Sequence, residues 1–227
     1  MLSAIAIVPS APVMVPELAS GAAAKLADLR EAVFSAAAAL PTRWIGVGVG
    51  PSDAVIGSRQ VGTFAGYGVD VRVALSPGAD DAPAPLPLCA LITGWVRGHA
   101  APGAHAEVRV YADTHDVDAA LTLGRRLRAE IDEAGDPIGV LVVADGLHTL
   151  TPSAPGGYEP DSVPLQESLD DALAAGDPAA LTRLPGAVVG RVAYQVLAGL
   201  DEAPGSAEQL YRGAPYGVGY FAGVWSP

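Results

Sequence analysis

The sequence is short of several residue types, and each shortage excludes a class of protein. Its 227 residues include one cysteine, Cys89, which excludes an intramolecular disulfide and a cysteine-rich zinc site. Thirteen basic residues, of which only Lys25 is lysine, stand against 25 acidic residues and leave a formal net charge of −12. Without a basic stripe, such a chain repels nucleic acid and anionic membranes, so we expect neither as a partner.

Long hydrophobic runs are also lacking. The N-terminal stretch MLSAIAIVPSAPV carries no positive charge and is interrupted at Pro9, so it is too short for a signal peptide or a membrane span. We therefore expect a cytoplasmic protein. Half of the residues are hydrophobic and 17% are charged, which excludes global disorder. This length can bury one good core, and we expect a single α/β domain over residues 1–227.

Short apolar runs alternate with amphipathic stretches along the chain. Strands are predicted at Ser3–Val8, Trp44–Val49, Val69–Val73, Glu107–Tyr111 and Asp136–Val143. Helices are predicted at Gly21–Leu40, Leu88–Val96, Asp116–Ile131, Pro164–Ala175, Pro178–Leu184 and Ala187–Leu200. A final hairpin or edge strand is predicted within Leu210–Trp225. This order implies a central, mainly parallel or mixed sheet with helices on both faces.

Three features that resemble functional motifs are better explained by packing or capping. Gly46, Gly48 and Gly50 lie inside a strand, which favours close packing against a helix over a phosphate loop. Cys89 lies in an apolar helical pattern and is interpreted as a buried small hydrophobe. The acidic cluster around His115 opens a helix, so Thr114 or Asp116 is expected to cap that helix rather than bind a metal.

The stretch Ile138–Thr151, IGVLVVADGLHTLT, is the strongest functional signal. A buried apolar strand delivers Asp145 and His148 into a glycine-containing loop. Functional loops of α/β enzymes gather at the carboxyl ends of their strands, so this loop is expected to lie beside Pro9–Pro12 and Gly50–Asp53. Asp145 and His148 are therefore the candidate catalytic residues, and Ser10 and Ser52 are candidate pocket residues.

Read in order, these three loops resemble the class III extradiol ring-cleavage dioxygenases of the subunit-B-like superfamily, typified by the protocatechuate 4,5-dioxygenase β subunit. That family opens with a strand and Pro-His-x-Pro, and the frame here is Pro9–Glu17, PSAPVMVPE. A Ser-Pro-His-like turn ends its second strand, where this chain has Gly50–Ser52. Its later Gly-Asp-x-Ser-His corresponds to Ala144–His148, ADGLH.

The C-terminal third extends the resemblance to nearly the whole chain. The segments AAGDPAAL, AYQVLAGL and APYGVGYFAGVW are similar to the tail of a subgroup of small actinobacterial proteins of this superfamily. The resemblance implies a subunit-B-like α/β fold. It also implies that the last of these segments lies near the pocket or completes the sheet. Tyr216 is therefore a further pocket candidate, with core packing as the default interpretation.

The resemblance also implies a cofactor that this sequence is not equipped to hold. The family binds non-haem Fe(II) through two histidines and a glutamate, with open positions for catechol and O₂. Ser10 and Ser52 stand at the two histidine positions, and the glutamate has no clear counterpart. His148 alone remains, at the position of the family's acid/base histidine. We therefore expect no metal and no other cofactor.

Three functions remain open. The first is a diverged dioxygenase-like protein, a pseudoenzyme that has lost iron and ring cleavage but keeps a small-molecule pocket around His148. The second is an active enzyme on an aromatic or polar molecule, either dioxygenase-like or using His148 for metal-independent acid/base chemistry with Asp145, Ser10 or Ser52 nearby. The third is a non-catalytic subunit or assembly partner, for which a homodimer is the expected form.

Overall fold

The strand Ile138–Val143, buried at every residue, lies at the centre of a seven-stranded sheet. The computed structural model describes the backbone of residues 1–227 and the side chains of all except residues 20, 22 and 23. In chain order the strands are β1 (Leu2–Val8), β2 (Arg43–Gly50), β3 (Ala54–Ile56), β4 (Val61–Thr63), β5 (Arg72–Ala74), β6 (His105–Ala112), β7 (Ile138–Val143), β8 (Ser206–Gly213) and β9 (Tyr220–Ser226).

The main sheet has the order β3-β6-β2-β7-β1-β9-β8. Its four central strands, β6, β2, β7 and β1, are parallel, and β3 and β9 run antiparallel to their neighbours. The mixed sheet of a single α/β domain predicted from the sequence is confirmed. The C-terminal hairpin is confirmed as well, and its strand β9 pairs with β1, so β8 becomes the edge of the sheet.

Helices cover both faces of the sheet, as predicted. They are α1 (Pro16–Ala19), α2 (Ala27–Ala38), α3 (Leu88–Ala100), α4 (Val117–Glu133), α5 (Ser162–Ala175), α6 (Pro178–Leu181) and α7 (Arg191–Leu200), with 3-10 turns at Pro12–Met14, Ser20–Leu26 and Phe64–Tyr67. One core cluster joins α2 and α3 to the sheet, and a second joins α4, α5 and α7 to its other face. In the described part of the chain, no helix has the length and hydropathy to cross a bilayer.

The prediction for the segment between β2 and α3 is wrong in detail. The strand expected at Val69–Val73 is β5, which pairs with β4 in a separate two-stranded sheet. The edge strand β3 was not predicted. Each of these strands has only three residues, too few to show the alternation that identifies a strand in a sequence.

The glycines of β2 allow close approach of α3, as the sequence indicates. A Cβ on Gly46 would lie 2.8 Å from Thr93 Oγ1, and a Cβ on Gly48 would overlap the Cβ of Cys89. Cys89 is fully buried, and desolvation raises the pKa of its thiol to about 11, so it stays neutral. The interpretations of β2 and of Cys89 as packing features are both confirmed.

This packing predicts an overpacking penalty at one glycine and none at another. Gly48→Ala should lower the free energy of unfolding by about 1–3 kcal/mol, because the new methyl group meets the backbone-anchored Cβ of Cys89. Gly57→Ala is the matched control, since a Cβ there meets nothing within 4 Å, and it should change stability by less than about 0.5 kcal/mol. Urea denaturation of both variants measures the difference, and equal stabilities would contradict the packing account.

Candidate functional site

The carboxyl ends of the central parallel strands bring the three predicted loops to one edge of the sheet. Strand β7 lies between β1 and β2, so the loop after β7 is flanked by the loops that follow those two strands. The loop Ala144–Thr151 is called the β7 loop below. The loop lies beside Ser10, as the sequence predicted, whereas among the described residues no hydrogen bond connects it to Ser52 at the end of the other neighbouring strand.

Asp145 joins the ends of two neighbouring strands. Its Oδ1 accepts a hydrogen bond from the backbone N–H of Ser10 at 2.8 Å, and its backbone oxygen accepts one from Gly190 N–H at 2.8 Å. The residue keeps a partly accessible surface, but the surrounding protein desolvates its carboxyl group and raises its pKa to about 7, against the opposing effect of the Ser10 N–H. Near neutral pH this group can therefore take up or release a proton.

Tyrosine side chains surround this carboxyl group. Tyr194 Oη donates to the backbone oxygen of Ala144 at 3.0 Å, within the buried base of the loop. Tyr220 is buried at the start of β9, and desolvation, followed by the negative charge of Asp145, raises its pKa. Tyr216 is half-buried, packs against the core and lies within electrostatic reach of Tyr220. The structure thus brings Ser10, Asp145 and Tyr220 into one neighbourhood, and Tyr216 is connected to it through Tyr220.

His148 is not part of that neighbourhood. Its side chain is exposed, and its ring lies against Gly156, where a Cβ would be 2.7 Å from His148 Nε2. Among the described residues, no hydrogen bond joins its ring to Asp145 or to any other group. Between the two residues, the Gly146 N–H donates to the Gly219 oxygen at 2.9 Å, and the Gly146 oxygen accepts the Val189 N–H at 3.1 Å. The structure does not form the Asp–His pair that the second hypothesis needs for a triad.

Ser52 is exposed in the turn after β2, and the polar interactions of that turn are made by the next residue. Asp53 accepts the Ala112 N–H at 2.7 Å and pairs with His115 Nε2 at 2.8 Å. The backbone hydrogen bond, and then His115, lower the pKa of Asp53 against partial desolvation. Asp116 accepts the Ala119 N–H at 2.8 Å and caps α4, which confirms the capping interpretation.

The side chains at the carboxyl ends of β1, β2 and β7 do not fit the Fe(II) site of the dioxygenase family that the sequence resembles. Ser10 and Ser52 offer hydroxyl oxygens in place of imidazole nitrogens, which are far better ligands for this metal. Asp145 is the one carboxylate beside Ser10, and burial favours its neutral form. Across the side chains that the structure describes, no group of three or more His, Cys, Asp or Glu residues is placed to hold a metal ion.

Two hydrogen bonds through the buried side chains of Gln166 and Asp170 support the other side of the β7 loop, and we call them the Gln166–Asp170 relay. This relay was not predicted from the sequence. The Leu147 N–H donates to Gln166 Oε1 at 2.8 Å, and Gln166 Nε2 donates to Asp170 Oδ1 at 2.8 Å. Both side chains are less than a tenth exposed. A signal was present in the sequence, because Gln166 and Asp170 share the face of α5 that carries the core residues Leu169 and Leu173.

A cavity of about 360 Å³ opens beside this relay, between α5 and the end of β8. Its walls combine apolar side chains with a few polar and charged groups, as ligand pockets usually do. The lining residues are Leu150, Thr151, Val163, Gln166, Glu167, Asp170, Arg212, Gly213 and Ala214. The β7 loop contributes two of them, so the cavity adjoins the predicted functional loop, although His148 is not in its wall.

Comparison with solved structures gives a likeness to the crystal structure of uncharacterized protein JW3007 from Escherichia coli K12. The TM-score is 0.61 at 12% sequence identity, and the match covers 99% of this chain and 100% of that chain. At such low identity the likeness shows the α/β fold alone. No protein-family model matches the chain, and no curated protein matches it.

The raised pKa of Asp145 predicts how stability depends on pH. Between about pH 4 and pH 7 the folded protein binds a proton at Asp145 that the unfolded chain has released, so this group lowers the free energy of unfolding as pH rises. Asp145→Asn keeps an oxygen for the Ser10 N–H but removes the titration. Relative to the wild type, the variant should gain at least about 1.4 kcal/mol between pH 4 and pH 8, the equivalent of one pKa unit.

Urea denaturation at both pH values measures this gain. Asp80→Asn removes an exposed loop carboxylate and serves as the control, which should follow the wild type at both pH values. If the free energies of unfolding of the wild type and of Asp145→Asn changed equally between the two pH values, the raised pKa of Asp145 would be contradicted.

Proposed function

We propose that this protein is a diverged member of the class III extradiol dioxygenase, subunit-B-like superfamily that has lost the Fe(II) ligands and ring cleavage and binds a small molecule beside the β7 loop. The proposal is supported mainly by the side chains that stand where metal ligands would be needed at the edge of the sheet. Serines occupy both positions at which the family has ligand histidines, and Asp145 there accepts the Ser10 N–H rather than standing free for a metal.

Ring cleavage by this family requires Fe(II) with open positions for the catechol and O₂. Two hydroxyl oxygens and a carboxyl group with a pKa of about 7 are a poor replacement for two imidazoles and a carboxylate. An acid/base histidine at position 148 has no metal-bound catechol to act on. A shared scaffold does not carry an activity whose ligands are absent.

The small-molecule part of the proposal is supported by the cavity between α5 and β8. Its volume of about 360 Å³ lies within the usual range for ligand pockets. One wall is the β7 loop, and the Gln166–Asp170 relay holds that wall in place through the Leu147 N–H. A cavity that combines apolar surface with the polar side chains of α5 suits binding of a small organic molecule with a polar head group.

Iron content and catechol turnover test the loss of ring cleavage. Protein purified anaerobically, with and without added Fe(II), should hold far less than one equivalent of iron by mass spectrometry and should consume no O₂ with catechol or protocatechuate. The double variant Ser10→His/Ser52→His, which adds the missing imidazoles, should retain more iron than the wild type. One tightly held equivalent of iron in the wild type, with ring-cleaved product, would contradict the proposal.

A second candidate is a metal-independent acid/base enzyme, and the pKa of Asp145 favours it. A carboxyl group that titrates near 7 is suited to proton transfer at neutral pH. For any substrate found by screening, the rate should then depend on a group with an apparent pKa of about 7, and Asp145→Asn should abolish that dependence. A pH profile unchanged in Asp145→Asn would eliminate this candidate.

A further inference from the structure

The wall of the cavity between α5 and β8 contains a buried aspartate, Asp170, which is held by a hydrogen bond from its neighbour Gln166. Gln166 Oε1 accepts the Leu147 N–H, so the amide nitrogen must face Asp170. An amide NH₂ group only donates hydrogen bonds, so Asp170 Oδ1 is an acceptor. Asp170 is 8% exposed and lines the cavity. The wall of the cavity thus contains a hydrogen-bonded acceptor, Asp170, that a ligand could contact.

Arg212 acts on Asp170 through its charge, but among the described residues no ion pair joins the two side chains. Arg212 is the one basic side chain in the cavity wall, and its Nη1 pairs with Asp171 Oδ1 at 2.8 Å on the exposed surface. Glu167 adds a second carboxylate to the wall. Desolvation raises the pKa of Asp170 to about 6, against the hydrogen bond from Gln166 and the charge of Arg212, so the group is largely ionised above neutral pH. A buried negative charge of this kind is stabilised by a cation brought close to it.

The remaining wall is suited to a compact apolar group. Leu150, Val163 and Ala214 contribute hydrocarbon surface to the same cavity, and Thr151 lies at the β7 loop. A ligand that combines a positively charged head with an apolar body would match both parts of the wall. A primary ammonium fits the head position best, because it is compact and carries three donors.

We propose that the cavity between α5 and β8 binds a small primary amine, with its ammonium group at Asp170 and Glu167 and its apolar body against Leu150, Val163 and Ala214. This inference rests on the proposed small-molecule function and names the ligand class. The ammonium would replace water at the carboxylates, and the Gln166–Asp170 relay would hold the acceptor in place.

Calorimetry with three probes of similar shape and different charge tests the inference. Benzylamine, benzyl alcohol and benzoate share the aromatic ring and differ in the head group. At pH 8 and low salt, the wild type should bind benzylamine at least about tenfold more tightly than the other two, because only the amine offers a cation to the buried carboxylate. Equal binding of benzyl alcohol, or tighter binding of benzoate, would overturn the amine assignment while leaving a small-molecule pocket in place.

Variants separate the carboxylate from general effects of charge. Asp170→Asn keeps an oxygen for Gln166 Nε2 and should weaken benzylamine binding at least about tenfold, and Glu167→Gln should weaken it by a smaller factor. Asp161→Asn, an exposed change of the same charge just before α5, should leave the affinity unchanged. Benzylamine binding that survives both Asp170→Asn and Glu167→Gln, or absence of binding by all three probes, would overturn the inference. Iron uptake with catechol turnover would instead overturn the proposed function.

Discussion

The hydrogen bond from the Ser10 N–H to Asp145 is the interaction on which the candidate site depends. It connects the residues that follow β1 and β7, two parallel neighbours at the centre of the sheet. The acceptor is a carboxyl group that the surrounding protein keeps from solvent, so its charge is costly and its proton is held up to about pH 7. One hydrogen bond therefore joins the ends of two central strands and holds the protonatable carboxyl group of Asp145 in place.

The β7 loop is held on its other side by an unusually close approach. A Cβ on Gly146 or on Gly219 would overlap the amide group of Gln166, so that amide lies directly against both glycines. From this position Gln166 Oε1 accepts a hydrogen bond from the Leu147 N–H, and Gln166 Nε2 donates one to Asp170 Oδ1. The loop backbone, the helix α5 and the cavity are thereby joined in one relay of hydrogen bonds. Such fully satisfied buried networks rigidify the groups that they connect.

The sequence was sufficient for features that depend on local pattern. The buried run of β7, the glycines of β2 and the cap at Asp116 each have a signature within a few residues, and the structure contains all three. Features set by long-range contacts were not accessible. The spacing of Asp145 and His148 does not reveal that Asp145 bonds to the Ser10 N–H while the exposed ring of His148 lies against Gly156. The sequence indicates the Gln166–Asp170 relay only through the position of these two polar residues on the core-facing side of α5.

The proposed loss of iron requires that the strand ends hold a protonatable carboxyl group and no metal. An NMR titration of the Asp145 carboxyl carbon, recorded anaerobically with and without one equivalent of Fe(II), measures both directly. We expect a midpoint near pH 7 and a signal that the added iron leaves unbroadened. A midpoint near the ordinary aspartate value, or a signal lost on addition of Fe(II), would contradict it and return a metal to this edge of the sheet.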